Sequence, residues 1–187
     1  MKRLFIAIKI VPQPILLNIY KDIKQHCSAS KIKWVDESLF HLTLKFLGNT
    51  YEERIKTIVD VMIKTGENIQ PFVFNLKGVG MFGSQYQPRV IWFGIENNTQ
   101  LTLLGQYLIE QLHKAGFPHD RQNFVPHLTV GRIKYIQNKQ RFQKILSKYQ
   151  RQTLQKVTVN QIILYESLLK PTGPVYSIIE KINLKPL

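Results

Sequence analysis

The chain reads as an α+β protein of two similar lobes, and three observations point there. Apolar residues recur by turns at strand and helix periods, with some strands paired through short turns, in the order β-α-β-α-β-β-α-β-α-β-β. A four-residue pattern of His, apolar, Thr and aliphatic occurs twice, as His41-Leu42-Thr43-Leu44 and His127-Leu128-Thr129-Val130, each time in a strand that follows one helix and precedes another. The length of 187 residues, 44% of them hydrophobic, suits one packed interior, so residues 1–187 are expected to form a single bilobal domain with the motif strands central. Strands joined as hairpins indicate antiparallel or mixed sheet rather than a doubly wound parallel one.

Residues 3–10, RLFIAIKI, form a strand rich in Ile and Phe, punctuated by Pro12 and Pro14. Ile15, Leu16, Ile19 and Ile23 then recur at helical spacing, so 13–27 is an amphipathic helix with His26 at its solvated end. Residues 31–35 are extended, Asp36, Glu37 and Ser38 turn the chain, and 39–47 are the first motif strand. A helix over 51–66 carries Ile55, Ile58, Val59, Met62 and Ile63, with Gly66 as its stop. Two strands, 71–81 and 89–95, are joined by the Gly- and Pro-containing loop 82–88; Trp92 and Phe93 fall on opposite faces, one in the core and one free to line a cleft. Asn98 or Thr99 caps a helix that ends before Gly116, with His113 in its last turn, and the polar loop 117–124 holds His119. The second motif strand, 127–134, follows Pro126; a basic helix covers 138–150; two strands, 153–165 and 174–183, flank the turn 170–174.

Charge is the unusual quantity. Lys and Arg total 26 against 12 Asp and Glu, a formal net of +14, which favours phosphate-rich partners, although the basic residues are spread along the chain as in any basic proteome. The single cysteine, Cys27, rules out an intrachain disulfide and Cys-rich zinc motifs and fits a cytoplasmic location. The opening run imitates a signal peptide, but Lys9, Pro12 and Pro14 interrupt it and no small-x-small site follows, so it reads as the first strand and helix of the mature protein. No stretch approaches the ~20 apolar residues that span a bilayer, so no membrane partner is expected.

In a strand, residues two apart share a face, so His41 and Thr43 face one way and Leu42 and Leu44 the other, and likewise in the second copy. Two such strands side by side would gather two imidazoles and two hydroxyls in one cleft. A histidine pair near neutral pH suits in-line displacement at phosphorus: one ring takes a proton from the attacking oxygen and the other gives one to the leaving oxygen. Thr43 and Thr129 can hydrogen-bond the non-bridging oxygens, with no metal or cofactor required. Arg132 could clamp the phosphate, but strict alternation puts it opposite His127, so it needs a bulge, which Gly131 would allow.

The paired His-x-Thr motifs resemble the two-histidine (2H) phosphoesterase superfamily. Within it, RLFIAI, WVDESLFHLTLKFLG, PRVIWFGI and FVPHLTVGRIK resemble, in order, the RNA 2′,3′-cyclic phosphodiesterases also called 2′–5′ RNA ligases. The tail beyond them is uninformative. The resemblance implies two pseudo-symmetric lobes with outer helices and a central cleft. It also implies hydrolysis of a terminal 2′,3′-cyclic phosphate to a 2′-phosphomonoester, with reversible 2′–5′ ligation as a side activity. By that analogy His41 is the proton donor to the 3′ oxygen, His127 the base that activates water, and Thr43, Thr129 and Arg132 bind the phosphate. Gly131 departs from the Ala usual there. Trp34, Phe46 and Trp92 are candidates for base stacking, each also explicable as core. The expected partner is an RNA or oligonucleotide with a cyclic phosphate end, bound by a monomer.

Three other readings compete. A non-catalytic RNA-binding protein accounts for the charge and the aromatics but not for His and Thr kept together twice. A metal site on His41 and His127 lacks a natural third ligand, the nearest acids being Asp36 and Glu37. A 2H enzyme could also act on ADP-ribose cyclic phosphate or on 2′–5′ linked oligonucleotides.

Overall fold

The computed structural model describes residues 1–119, 124–171 and 173–185. Residues 120–123 of the polar loop and Thr172 of the last turn lie outside the described residues. The strands are β1 (Lys2–Lys9), β2 (Lys31–Trp34), β3 (His41–Thr50), β4 (Phe72–Gly83), β5 (Pro88–Ile95), β6 (Leu128–Tyr135), β7 (Thr153–Val159), β8 (Gln161–Lys170) and β9 (Gly173–Asn183). The helices are α1 (Pro14–His26), α2 (Ile55–Asn68), α3 (Thr99–Lys114) and α4 (Lys139–Tyr149).

Alternation along β1 explains the two faces of the sheet. Leu4, Ile6 and Ile8 join one large core with the inner faces of all four helices, whereas Phe5 and Ala7 form a separate cluster with Ile163 and Tyr165 on the opposite face. That second face also carries His41, whose ring lies against Phe5. The sheet curls as a half-barrel in the order β7-β4-β5-β6-β3-β1-β8-β9, with β2 added against β6. Its pairings are antiparallel, so the mixed alternative does not hold among the described strands. Apart from β2, four strands lie on either side of the β6–β3 seam, where Leu42 stands opposite Leu128. In each half the motif strand is innermost.

Two expectations need correction. The strand expected over 153–165 is two strands separated at Asn160: β7 pairs with β4 in one half and β8 with β1 in the other. Strand periodicity runs on through Asn160, so only pairing reveals that the chain changes sides there. Gly66 does not stop α2, which continues to Asn68; a Cβ at Gly66 would lie 2.5 Å from the Asn183 carbonyl, so the glycine admits the end of β9. The other stop holds: Gly116 has φ +84 just beyond α3, and its N–H donates to the His113 carbonyl at 2.9 Å. The Asn98 side chain accepts from the Leu101 N–H at the start of α3, at 2.9 Å.

Candidate active site

The motif strands meet at the centre of the sheet. Leu42 opposite Leu128 in an antiparallel register puts His41 beside Thr129 and Thr43 beside His127. The two histidines are then diagonal neighbours, with backbones about 7–8 Å apart, close enough for one phosphate between the rings. Leu42, Leu44, Leu128 and Val130 are buried beneath them, as alternation demands.

The two rings are held in the same way. His41 Nδ1 lies 2.7 Å from the Leu39 carbonyl, and His127 Nδ1 lies 2.8 Å from the Val125 carbonyl, each two residues upstream. A carbonyl can only accept, so Nδ1 carries the hydrogen in both rings. Nε2, on the far edge of each ring, is the nitrogen left to exchange protons with a ligand. The Thr43 and Thr129 side chains share this face half-exposed, and neither hydroxyl bonds another of the described residues.

Arg132 reaches the cleft by a bulge. Gly131 faces Ile91 and Thr129 faces Trp92, so Val130 is an extra residue on β6 and the alternation resets beyond it. Arg132 therefore shares the face of His127 and Thr129, close enough to His41 for its charge to disfavour the imidazolium there. The first copy has the same bulge: Lys45 faces Ile6 and Thr43 faces Ala7, leaving Leu44 extra. Phe46, 58% exposed, holds the place that Arg132 holds in the second copy. Gly131 does not have a positive φ; it is small because Trp34 and Ile32 pack over it, and a Cβ there would lie 3.1 Å from each.

The surroundings include residues not anticipated from the sequence. Phe5 and Tyr176 flank His41, with ring centroids 5.0 and 5.3 Å away, and Tyr176 stands perpendicular to it. Tyr176 comes from β9, in the tail that lies beyond the motif segments. Lys9 stands opposite His41 in the β1–β3 register and donates its ammonium to the Ser38 carbonyl. Its one signal in the sequence is a charge inside an apolar strand. Burial pushes the pKa of His41 down, and the charges of Lys9, Arg132 and His127 push it further, while the bond to Leu39 opposes them. Phe82 packs edge-on against His127 at 4.8 Å. Trp92 lies over Gly80 on this face and Phe93 is fully buried, as their alternation required. Trp34 packs edge-on against Tyr20 and belongs to the core side.

The other histidines lie outside the pair. His26 bonds the Asp22 carbonyl and sits 3.2 Å from the Asp22 carboxylate, and the His113 ring, in the last turn of α3, lies tilted against His119 with centroids 3.8 Å apart. Among the described residues no three His, Cys, Asp or Glu side chains converge as a metal site.

A curled antiparallel sheet with helices on one face and two adjacent His-x-Thr strands on the other defines a two-histidine phosphoesterase. The chain belongs to the AKAP7 2′5′ RNA ligase-like domain family, whose model matches residues 4–184. It is 36% identical over 179 residues to an RNA 2′,3′-cyclic phosphodiesterase of Methanocaldococcus jannaschii, covering 96% of this chain and 99% of that one. It is also 36% identical over 146 residues to the protein of that name from Thermotoga maritima, covering 78% and 76%. Among solved structures, TT0787 of Thermus thermophilus superposes with a TM-score of 0.82 at 25% identity over 98% of each chain. Escherichia coli LigT complexed with 3′-AMP shares the fold, with a TM-score of 0.76 at 22% identity over 98% of each chain.

Proposed function

We propose that this protein hydrolyses the 2′,3′-cyclic phosphate at an RNA end to a 2′-phosphomonoester by two-histidine acid–base catalysis. The observation that carries this is the twin imidazoles, each with Nδ1 bonded to the carbonyl two residues upstream and Nε2 left to the cleft. His127 Nε2 takes a proton from water as its oxygen attacks phosphorus. The bond from phosphorus to O3′ breaks, and His41 Nε2 gives its proton to that oxygen, leaving a 3′ hydroxyl and a 2′ phosphate. Thr43, Thr129 and Arg132 hold the non-bridging oxygens and stabilise the charge of the transition state. An RNA 5′ hydroxyl in place of water would give a 2′–5′ linkage through the same geometry, which is the reversible ligation.

The names of the curated relatives support the substrate class, and the cationic cleft supports an anionic ligand. Burial and neighbouring cations make protonated His41 a stronger acid than a free histidine, which suits a donor to an alkoxide leaving group. We take residues 1–187 as one bilobal unit acting as a cytoplasmic monomer without a metal. No helix among the described residues is long and apolar enough to cross a membrane.

The deciding experiment is incubation, in EDTA, with a short RNA ending in a 2′,3′-cyclic phosphate, followed by identification of the product. A 2′-phosphate is expected. A 3′-phosphate would reverse the orientation of the substrate, and inhibition by EDTA would return the metal reading. Tight RNA binding without turnover would favour a binding protein.

A further inference from the structure

The β2–β6 ribbon holds a juxtaposition that packing alone does not favour. Lys33 and Arg132 stand directly opposite each other across the two strands. Like charges in that position repel. Both are exposed, and neither makes an ion pair among the described residues. A second bulge lies next to them: Ile133 faces Ile32 and Tyr135 faces Lys31, so Lys134 is extra on β6. This reset puts Tyr135, 52% exposed, beside Lys31 on the face that carries Lys33 and Arg132. Ile32 and Trp34 point the other way, into the core. The ribbon thus leads away from the histidine pair as two cations followed by a cation beside an exposed aromatic ring.

Lys31 and Lys33 are two residues apart on one strand face, about 7 Å, which is one nucleotide step of an extended single strand. Cations at that repeat with an aromatic ring alongside are what a single-stranded nucleic acid requires, since the cations meet phosphates and the ring meets a base. A phosphate on Lys33, next in the strand to the one Arg132 holds, would offset their repulsion.

We propose that the β2–β6 ribbon is the track for the RNA upstream of the cyclic phosphate, with Lys33 and Lys31 on successive phosphates and Tyr135 under a base. The proposal rests on the cyclic phosphodiesterase reading and extends it: the preferred substrate is an oligonucleotide, not a free nucleoside cyclic phosphate.

The test compares cytidine 2′,3′-cyclic phosphate with a five-nucleotide RNA carrying the same end. Lys31→Gln/Lys33→Gln removes both charges without offering Arg132 a new acidic partner. The unaltered protein is expected to favour the pentamer at least tenfold in kcat/KM. The double variant should lose most of that advantage, turn over the mononucleotide within twofold of the unaltered protein, and melt no lower. Its log–log salt dependence of pentamer binding should be shallower by about 1.4, at ~0.7 per phosphate contact on a single strand. Tyr135→Ala should weaken binding of the RNA but not of inorganic polyphosphate, which separates a nucleic-acid track from a general polyanion site. Equal use of both substrates by the unaltered protein, or equal losses on both in the double variant, would overturn the track. If the unaltered protein hydrolyses neither, the catalytic reading fails. The track is then judged by anisotropy of a labelled pentamer with a plain 3′ hydroxyl: weakening in the double variant supports it, and unchanged binding overturns it.

Discussion

At the scale of single residues, the two histidines share a tautomer but not an environment. His41 lies among Phe5, Tyr176 and Lys9, and its pKa is held down first by burial and then by nearby cations. It should titrate by NMR below the ~6.5 of a free imidazole and rise when an anionic nucleotide binds. An unfolded chain would then bind more protons at this position than the folded one, so this contribution to stability is present above ~6.5 and is lost as pH falls through ~6.5 toward the folded value. Titration at or above 6.5 would contradict the environment described. As donor, His41 sets the alkaline limb of the rate profile, so His41→Asn should abolish that limb and His127→Asn the acidic one; the opposite pattern would exchange their roles. His41→Ala and His127→Ala should each lower kcat by about 10²–10⁴-fold with the fold retained, and near-normal turnover in either would sink the mechanism. The His-x-Thr pairs were plain in the sequence because their logic is local. Lys9, Phe5 and Tyr176 were not, because each reaches His41 only through strand pairing.

Among the elements, the bulges decide which side chains enter the cleft. The extra residue at Val130 turns Arg132 toward the histidines, and its counterpart at Leu44 places Phe46 in the matching position. The need for a bulge could be argued from parity alone; its position at the fourth motif residue in both copies could not. Glycine at 131 answers to the Trp34 ring rather than to backbone torsion, so Gly131→Ala should change stability by less than about 1 kcal/mol, measured by urea denaturation. A larger loss would mean that the indole cannot yield. Gly80 is tighter, since a Cβ would come within 2.5 Å of the Trp92 ring. Gly80→Ala should cost about 1–3 kcal/mol and shift tryptophan fluorescence as the indole is displaced. β9 delivers Tyr176 edge-on to His41. Tyr176→Phe should keep kcat and its pH profile, whereas Tyr176→Ala should lower kcat several-fold and move the limb set by His41; equal behaviour of the two variants would remove Tyr176 as a positioning residue.

For the molecule as a whole, the sheet is both scaffold and cleft. Helices α1 to α4 seal one face, and the other gathers the histidines, the aromatic rings and the exposed cations. Cys27 is 4% exposed on the sealed side, and burial pushes its pKa up to about 11. Iodoacetamide at pH 8 should therefore leave it unmodified in the native protein and alkylate it in urea; rapid native labelling would mean that α1 is not docked as described.

By itself the sequence determined the alternation of strands and helices, the α+β class, the duplicated motif and the chemistry of its histidines. These are written in neighbouring residues, where side-chain period and ring pKa act over a few positions. Strand pairing was needed to show that Asn160 divides two strands bound for opposite halves, that Arg132 enters the cleft, that Tyr176 and Lys9 lie around His41, and that Lys33 faces Arg132. Each of these depends on register between segments far apart in the chain, and one extra residue in a strand reverses which face every later side chain occupies.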